Sequence, residues 1–171
     1  IDRVIPFAER VVLFSEKAQM LLSGDPFSAR TVSLEPFVDF MNEPLAAPQV
    51  HGNRMWIMFP KAQGDYLGLR EVYPGTDGVF TSSDRTVQVS SYIPPNPRTF
   101  TSDSRGETFI YLSNSERGSL YIFKTMAEAE NVIQAAWSKF TFASDDVIVG
   151  AHLLGKQLIL LVERSSGHFL E

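Results

Sequence analysis

The sequence contains three histidines, whose imidazole side chains could serve in catalysis or bind a metal ion. His51, His152 and His168 lie far apart, and none has a second candidate ligand at metal-site spacing. A protein zinc site needs three or four ligands, which HExxH and related motifs place close together in sequence, and no such motif occurs here. We therefore predict no metal or cofactor site, with His51 in the polar loop 49–53 and His152 at a strand edge.

Paired carboxylates are the second group of residue types with chemical potential. Asp145 and Asp146 are adjacent, and Glu128 and Glu130 form another close pair. A glycosidase holds two carboxylates about 5 to 9 Å apart in a cleft, which adjacency in sequence does not provide. Asp145 and Asp146 precede an apolar run, which is typical of a hairpin turn. The sequence therefore predicts that the protein is not an enzyme and has no catalytic residues. A hydrolase that uses Asp145, Asp146 or Glu128 is kept as an alternative hypothesis.

Aromatic side chains are numerous, with 13 Phe, five Tyr and two Trp. Those with alternating spacing in apolar runs are Trp56, Tyr66, Tyr73, Phe109, Tyr111, Tyr121 and Phe123. Such a set can stack on sugar rings, but alternating aromatics on paired strands usually fill a core. We predict a core role. A carbohydrate-binding propeller with an aromatic stacking surface is the alternative function, and an exposed Trp56 or Trp137 would favour it.

Length and charge limit the classes of protein that remain. The chain has 171 residues and a formal charge of −5, from 15 Lys and Arg against 20 Asp and Glu. One domain of this length can bury a large core. The basic residues are scattered singly, so tight duplex DNA binding is not expected. No apolar run reaches the roughly 20 residues of a transmembrane helix, so no membrane segment is predicted.

The elements that must position these side chains are β-strands. Runs rich in Val, Ile, Thr and aromatics alternate with clusters of Gly, Pro, Asn, Asp and Ser, which is the sequence pattern of an all-β fold. The predicted strands cover residues 11–14, 19–22, 55–59, 66–73, 109–112, 120–124, 136–142, 147–153 and 157–163. Short polar links at 15–17, 60–65, 113–119 and 154–156 join most of them into hairpins.

The hairpins recur along the chain with a loose register and without a repeated signature dipeptide. Their first strands open near Val11, Met55, Phe109 and Leu158, at intervals of 44, 54 and 49 residues. One propeller blade takes about 40 to 50 residues. We therefore predict a single β-propeller-like domain over residues 1–171, partial or few-bladed and built of antiparallel hairpins, that is excised from a longer chain. A β-sandwich, with turn signals every 8 to 12 residues, is the alternative fold.

Two segments depart from the simple hairpin pattern. Residues 126–136 are rich in helix formers and predict one or two helical turns that end before Trp137. Residues 137–142 then alternate with period two, which puts Trp137 on one face of a strand and Phe140 and Phe142 on the other. Three prolines within residues 92–97 predict a stiff, extended connector.

Several strings of the sequence occur in a recognisable order. Residues 4–22, VIPFAERVVLFSEKAQMLL, contain an apolar-Pro-Phe-x-Glu run that leads into Ser-acid-x-Ala-Gln. Residues 52–60, 84–94 and 137–142 follow, the last reading WSKFTF. These strings resemble, in the same order, stretches of the nozzle protein (tail tubular protein B) family of T7-like short-tailed phages. Residues 85–90 keep little of the family pattern, and residues 94–107 match in length alone. The resemblance covers a central, propeller-type portion of the family's longer chain.

The resemblance implies a virion structural protein without catalytic activity. It implies a ring of identical subunits, six in number, around the DNA exit channel of a short non-contractile tail. It also implies contacts with the adaptor ring and the tail fibres, and assembly in the host cytoplasm. DNA would pass through this channel without being held tightly, which agrees with the acidic balance of the chain.

Overall fold

A computed structural model describes residues 1–15, 18–76, 78–128 and 131–171, with the backbone alone at 127, 128 and 131–133. Strands dominate the described residues, and two short 3₁₀ helices occupy Ala62–Gly64 and Val87–Val89. The strands are β1 (Arg3–Phe7), β2 (Arg10–Phe14), β3 (Gln19–Ser23), β4 (Ser33–Val38), β5 (Gln49–His51), β6 (Arg54–Lys61), β7 (Tyr66–Pro74), β8 (Phe80–Asp84), β9 (Pro97–Ser102), β10 (Thr108–Ser113), β11 (Ser119–Glu128), β12 (Asn131–Thr141), β13 (Val147–Leu154), β14 (Gln157–Arg164) and β15 (Gly167–Leu170).

The strands form four antiparallel sheets in chain order. Sheet 1 contains β1 to β4, sheet 2 contains β5 to β8, sheet 3 contains β9 to β12, and sheet 4 contains β13 to β15. Within each sheet every strand pairs with its neighbour in sequence, so each sheet is a meander. The all-β prediction is therefore confirmed.

Both faces of the two middle sheets are buried. Along β6, Met55 and Ile57 pack against sheet 1, whereas Trp56 and Met58 pack against sheet 3. Successive side chains of a strand point to opposite faces, so burial on both faces requires a continuous apolar run. This requirement explains why the β6 sequence shows no alternation between apolar and polar residues.

Three apolar clusters join the sheets in chain order: one between sheets 1 and 2, one between sheets 2 and 3, and one between sheets 3 and 4. A two-sheet sandwich covers one face of each sheet. Here sheets 2 and 3 are covered on both faces, as consecutive blades of a propeller are. The propeller-like prediction is thus confirmed, and the stacking differs from that of a sandwich.

The predicted strands and their repeat are present. All nine predicted runs are strands, and the four links join β2 to β3, β6 to β7, β10 to β11 and β13 to β14. Glu16 and Lys17 of the first link lie outside the described residues. Val11, Met55, Phe109 and Leu158 lie in β2, β6, β10 and β14, which are the second strands of the four sheets. The interval of about 50 residues is therefore the repeat of one sheet.

The predicted helix over residues 126–136 is wrong. β11 continues to Glu128 and β12 begins at Asn131, and the two strands pair from Ser119↔Thr141 to Glu128↔Asn131. Ala129 and Glu130 lie outside the described residues. The helix propensity of Ala and Glu amounts to a few tenths of a kcal/mol per residue, and pairing with a strand already fixed in a sheet outweighs it.

The predicted faces of β12 are correct. Trp137 packs with the cluster between sheets 2 and 3, and Phe142 packs with the cluster between sheets 3 and 4. Phe140 is on the same face as Phe142 and is 53% exposed. β12 is the outermost strand of sheet 3, which explains why Phe140 and Trp137 are not fully covered.

The proline-rich segment connects sheets 2 and 3, as predicted, but it is not extended throughout. It bends at Pro95 and Asn96, where Asn96 has a φ of 60°, and Pro97 already belongs to β9.

Candidate functional site

The three histidines lie in different places and do not form a cluster. His51 ends β5, and its Nε2 atom is 2.7 Å from the Ser102 hydroxyl, which donates in turn to Gln49 Oε1 at 3.2 Å. A hydroxyl that donates to an amide oxygen is not activated by the imidazole, so this trio is structural. His152 and His168 are exposed on β13 and β15. In the described part of the chain, no group of three or more His, Asp or Glu side chains could hold a metal ion.

The trio belongs to a row of contacts between the first strands of neighbouring sheets. Gln49 of β5 also donates to the Phe100 carbonyl of β9, at 3.2 Å. Arg98 of β9 donates to the Ile148 carbonyl of β13, at 2.5 Å. These side chains fix the spacing of β5, β9 and β13 by satisfying backbone carbonyls from the adjacent sheet. Their role in the protein is therefore to align the sheets.

The acidic residues predicted as a turn do form one. Asp146 donates its backbone N–H to the Ala143 carbonyl at 3.0 Å, and this turn connects sheets 3 and 4 rather than two strands of a hairpin. Arg164 binds both Asp146 carboxylate oxygens, at 2.8 and 3.1 Å. These hydrogen bonds hold the pKa of Asp146 below its ordinary value. Glu130 and the side chain of Glu128 lie outside the described residues.

A buried ionic cluster that was not expected from the sequence lies in sheet 2. Glu71 of β7 is 1% exposed, and each of its carboxylate oxygens accepts from an arginine. Arg54 of β6 bonds one oxygen, and Arg85, which follows β8, bonds the other through Nε at 2.8 Å and through a terminal nitrogen. Arg85 also presents its carbonyl to Trp137 Nε1 at 3.2 Å. The cluster thus ties three segments of sheet 2 to the outer strand of sheet 3.

A second polar network closes the outer end of sheet 2. Lys61 forms an ion pair with Asp84 at 2.9 Å and donates to the carbonyl and hydroxyl oxygens of Thr86. The Thr86 hydroxyl and backbone N–H donate to Asp84 Oδ1 at 2.5 and 2.7 Å. Burial raises the pKa of Asp84, but the hydrogen bonds from Thr86 and Lys61 outweigh it and hold the pKa below its ordinary value.

We expect protonation of the Asp84 carboxylate to lower the free energy of unfolding at low pH. A carboxylate whose folded-state pKa is lowered stabilises the fold above its unfolded pKa, and that contribution is lost as the pH falls through the folded value. Asp84→Asn should therefore lose less free energy of unfolding than the wild type between about pH 6 and pH 2.5 in urea melts. Asp145→Asn, at an exposed turn position, should follow the wild type. Parallel pH profiles for wild type and Asp84→Asn would contradict the expectation.

The aromatic residues form the core, as predicted. Trp56, Phe109, Tyr111, Tyr121 and Phe123 are each at most 3% exposed in the cluster between sheets 2 and 3. Tyr66 and Tyr73 are half-buried. The tyrosine hydroxyls are used inside the fold, since Tyr111 donates to the Pro94 carbonyl at 2.7 Å and Tyr121 to Glu116 at 2.6 Å. Trp56 offers no face to a sugar, and the carbohydrate-binding alternative is not supported.

A groove with apolar walls lies between sheets 3 and 4. It measures about 570 Å³ and is lined by Ile110, Ile122, Phe140, Leu153 and Leu158, with charged residues at its rim. The sequence patterns did not predict this groove, because its walls combine strands of two sheets that only the folded structure brings face to face. The groove combines an exposed aromatic side chain with an apolar floor, which is typical of a surface that contacts protein.

Comparison with models of protein families identifies a family for this chain. The family model described as "Bacteriophage nozzle protein" matches residues 1–171, the whole of the chain. No curated protein matches it. Among the described residues, no helix has both the length and the apolar character that crossing a membrane requires.

Proposed function

Because the chain belongs to the bacteriophage nozzle protein family, and is therefore a structural component of a phage tail, we propose that copies of it form part of the ring through which the genome is ejected. The observation that carries the proposal is the family match over all 171 residues. The stack of sheets joined by apolar clusters supports it, since such a stack is a rigid building block. In this proposal the ring contains six copies.

The proposed partners and location follow from the same membership. The chain is a virion tail component, and we propose that it is assembled into the tail in the host cytoplasm. The ring contacts the tail adaptor on one side and the tail fibres beside it. We further propose that the chain has no enzymatic activity. The internal use of His51, Ser102 and Asp146 in hydrogen bonds supports this part of the proposal.

Imaging of intact particles tests the proposed function. Phage particles that carry a small affinity tag on the exposed loop near Phe27 are labelled with gold and viewed by electron microscopy. Label in a ring at the tail end of the particle is the expected result. Label on the capsid, or protein that is made in infected cells but missing from purified particles, would contradict the proposal.

We propose that residues 1–171 are one domain and unfold as one. The clusters that join sheet to sheet leave no boundary at which one sheet could open independently. Urea unfolding followed by fluorescence of Trp56 and Trp137 and by far-ultraviolet circular dichroism should give coincident transitions. Two separated transitions would divide the sheets into independent units.

Weak DNA binding is expected even though DNA passes close to the ring. The chain carries a charge of −5, and Arg54, Arg85 and Arg164 are engaged with carboxylates. Fewer free cations release fewer counterions from the phosphate backbone. We expect a dissociation constant for duplex DNA no tighter than about 10⁻⁴ M at physiological salt. Micromolar binding with a steep salt dependence in fluorescence anisotropy would contradict this.

A further inference from the structure

A pocket of about 360 Å³ opens at the outer rim between sheets 2 and 3. It is lined by the end of β8 with the segment that follows it, and by β12: Asp84, Arg85, Val87, Gln88 and Val89 from the first, and Ala135, Ala136 and Trp137 from the second. Both sheets have four strands, so the pocket does not arise from an incomplete sheet. Its volume is near the lower end of the range for small-molecule sites, about 300 to 1,000 Å³.

The pocket borders a side-chain cluster with an excess of positive charge. Glu71 is shared by Arg54 and Arg85, so two guanidinium charges against one carboxylate leave a charge of +1. Neither arginine forms an ion pair with another described carboxylate. Asp84, the acidic residue of the pocket lining, is paired with Lys61, so its charge is already compensated. In a chain with a net charge of −5, this local excess favours a negatively charged ligand.

Arg85 is held so that one side of its guanidinium remains available. Its Nε atom, at 2.8 Å, and its Nη2 atom bond to Oε2 of Glu71. Glu71 is 1% exposed, so this edge of the guanidinium is covered, yet the Arg85 side chain is 23% exposed. The exposed part is therefore on the opposite side, where Nη1 makes no hydrogen bond with the described residues. A guanidinium fixed in this way can donate to an anion with little further loss of side-chain freedom.

The wall that β12 contributes contains the indole ring of Trp137. Phe123 covers one side of this ring, with ring centroids 5.1 Å apart, and Trp137 Nε1 donates to the Arg85 carbonyl at 3.2 Å. These contacts fix the position of the ring. Ala135 and Ala136 beside it are small, so part of the indole remains open to the pocket. A fixed and partly open indole is a surface on which a planar ring can stack.

We propose that this pocket binds a small organic anion that has a planar apolar part. The carboxylate or other oxyanion accepts hydrogen bonds from Nη1 of Arg85, and the planar part packs against the Trp137 indole and Val87. A neutral ligand would leave the excess charge uncompensated. An inorganic anion would leave the indole and the valine in contact with water. Binding at this pocket is independent of the place of the chain in the tail.

Nuclear magnetic resonance of the indole N–H groups tests the pocket. Benzoate should shift the signal of Trp137 and leave that of Trp56, which is buried in the core, unchanged. Benzamide has nearly the same shape without the charge and should bind at least about tenfold more weakly, because it makes no hydrogen bond between two charged groups. Inorganic phosphate, which has no ring to bury, should also bind at least about tenfold more weakly than benzoate. No shift of the Trp137 signal with benzoate, or equal affinity for benzoate and either other probe, would overturn the proposal.

A matched pair of variants locates the binding site. Val87 lines the pocket and is 68% exposed, so Val87→Asp places a negative charge at its rim and should weaken benzoate binding about tenfold. Val4→Asp makes the same change at a 61% exposed position of β1 in sheet 1 and should bind benzoate as the wild type does. Both substitutions are at exposed side chains, so both proteins should melt close to the wild type. Equal binding of benzoate by the two variants would contradict the assignment of the pocket.

Arg85→Gln tests which side chain selects the anion. The substitution removes the excess charge and leaves Glu71 paired with Arg54, so no buried carboxylate is left without a partner. Benzoate and benzamide should then bind with affinities within about twofold of each other, because the charge that distinguishes them has no cation to meet. A folded Arg85→Gln protein that still prefers benzoate about tenfold would overturn the proposal.

Discussion

The Phe109→Ala variant is expected to lose about 3 to 5 kcal/mol of unfolding free energy, which is typical of removing a large aromatic side chain from a closed core. Phe109 is fully buried in β10 between sheets 2 and 3. Its ring centroid lies 4.5 Å from that of Trp56 and 5.9 Å from that of Phe100. Alanine would leave a cavity that surrounding strands, paired on both sides, cannot close. Urea unfolding with an unchanged dependence on denaturant is the measurement.

Phe140→Ala is the matched control for this prediction. It removes the same atoms from β12, the outermost strand of the same sheet, where the side chain is 53% exposed, so its cost should remain below about 1 kcal/mol. Similar losses in the two variants would contradict the assignment of Phe109 to the core that joins sheets 2 and 3. Losses below about 1 kcal/mol in both variants would show that the packing between the sheets contributes little to stability.

The central strands of each sheet were predictable from sequence, whereas most of the edge strands were not. β6 and β10 are buried on both faces, so their apolar runs are continuous and easily recognised. β5 has three residues, and β8 reads FTSSD, which carries no apolar pattern. Such strands form because a preformed neighbour offers backbone hydrogen-bond partners. The sequence of an edge strand therefore does not predict the strand, because what induces it is the neighbouring strand with which it pairs.

The segment around Met126 was predicted incorrectly for a different reason, because its composition favours a helix although it forms strands. Ala, Glu and Gln favour a helix locally, yet Lys124, Thr125 and Met126 pair with Ala136, Ala135 and Gln134 across a long hairpin. Strand residues that extend beyond the packed core do not need large apolar side chains. Their composition therefore does not predict that they belong to a sheet. Local propensity is therefore least informative where a strand extends beyond the packed core.

The structural roles of the acidic residues could be predicted from the sequence only in part. Adjacent Asp145 and Asp146 were correctly predicted to form a turn, because turn propensity is local. The Glu71 cluster could not be predicted in this way. Its members come from β6, β7 and the residue after β8, and only the register of the three strands brings their charges together.

Glu71→Ala is expected to cost about 3 kcal/mol, because it leaves Arg85 and Arg54 without a partner at a nearly closed site. Glu71 is 1% exposed, whereas the Arg54 side chain is 41% exposed and can recover contact with water. The penalty therefore falls mainly on Arg85, which is held beside Trp137. Urea unfolding measures the loss, and Glu107→Ala, at an exposed glutamate in the turn before β10, should change stability by less than about 0.5 kcal/mol.

A double variant distinguishes the cost of an unpaired charge from the loss of the ion pair itself. Replacing a buried ion pair by apolar side chains of similar size is often nearly neutral. Glu71→Leu combined with Arg85→Met should therefore be more stable than Glu71→Leu alone by about 1 to 2 kcal/mol, since the charge that remains unpaired is then that of Arg54, whose side chain is 41% exposed. Strictly additive losses in the double variant would contradict this account. They would show that Glu71 and Arg85 contribute to stability independently of each other.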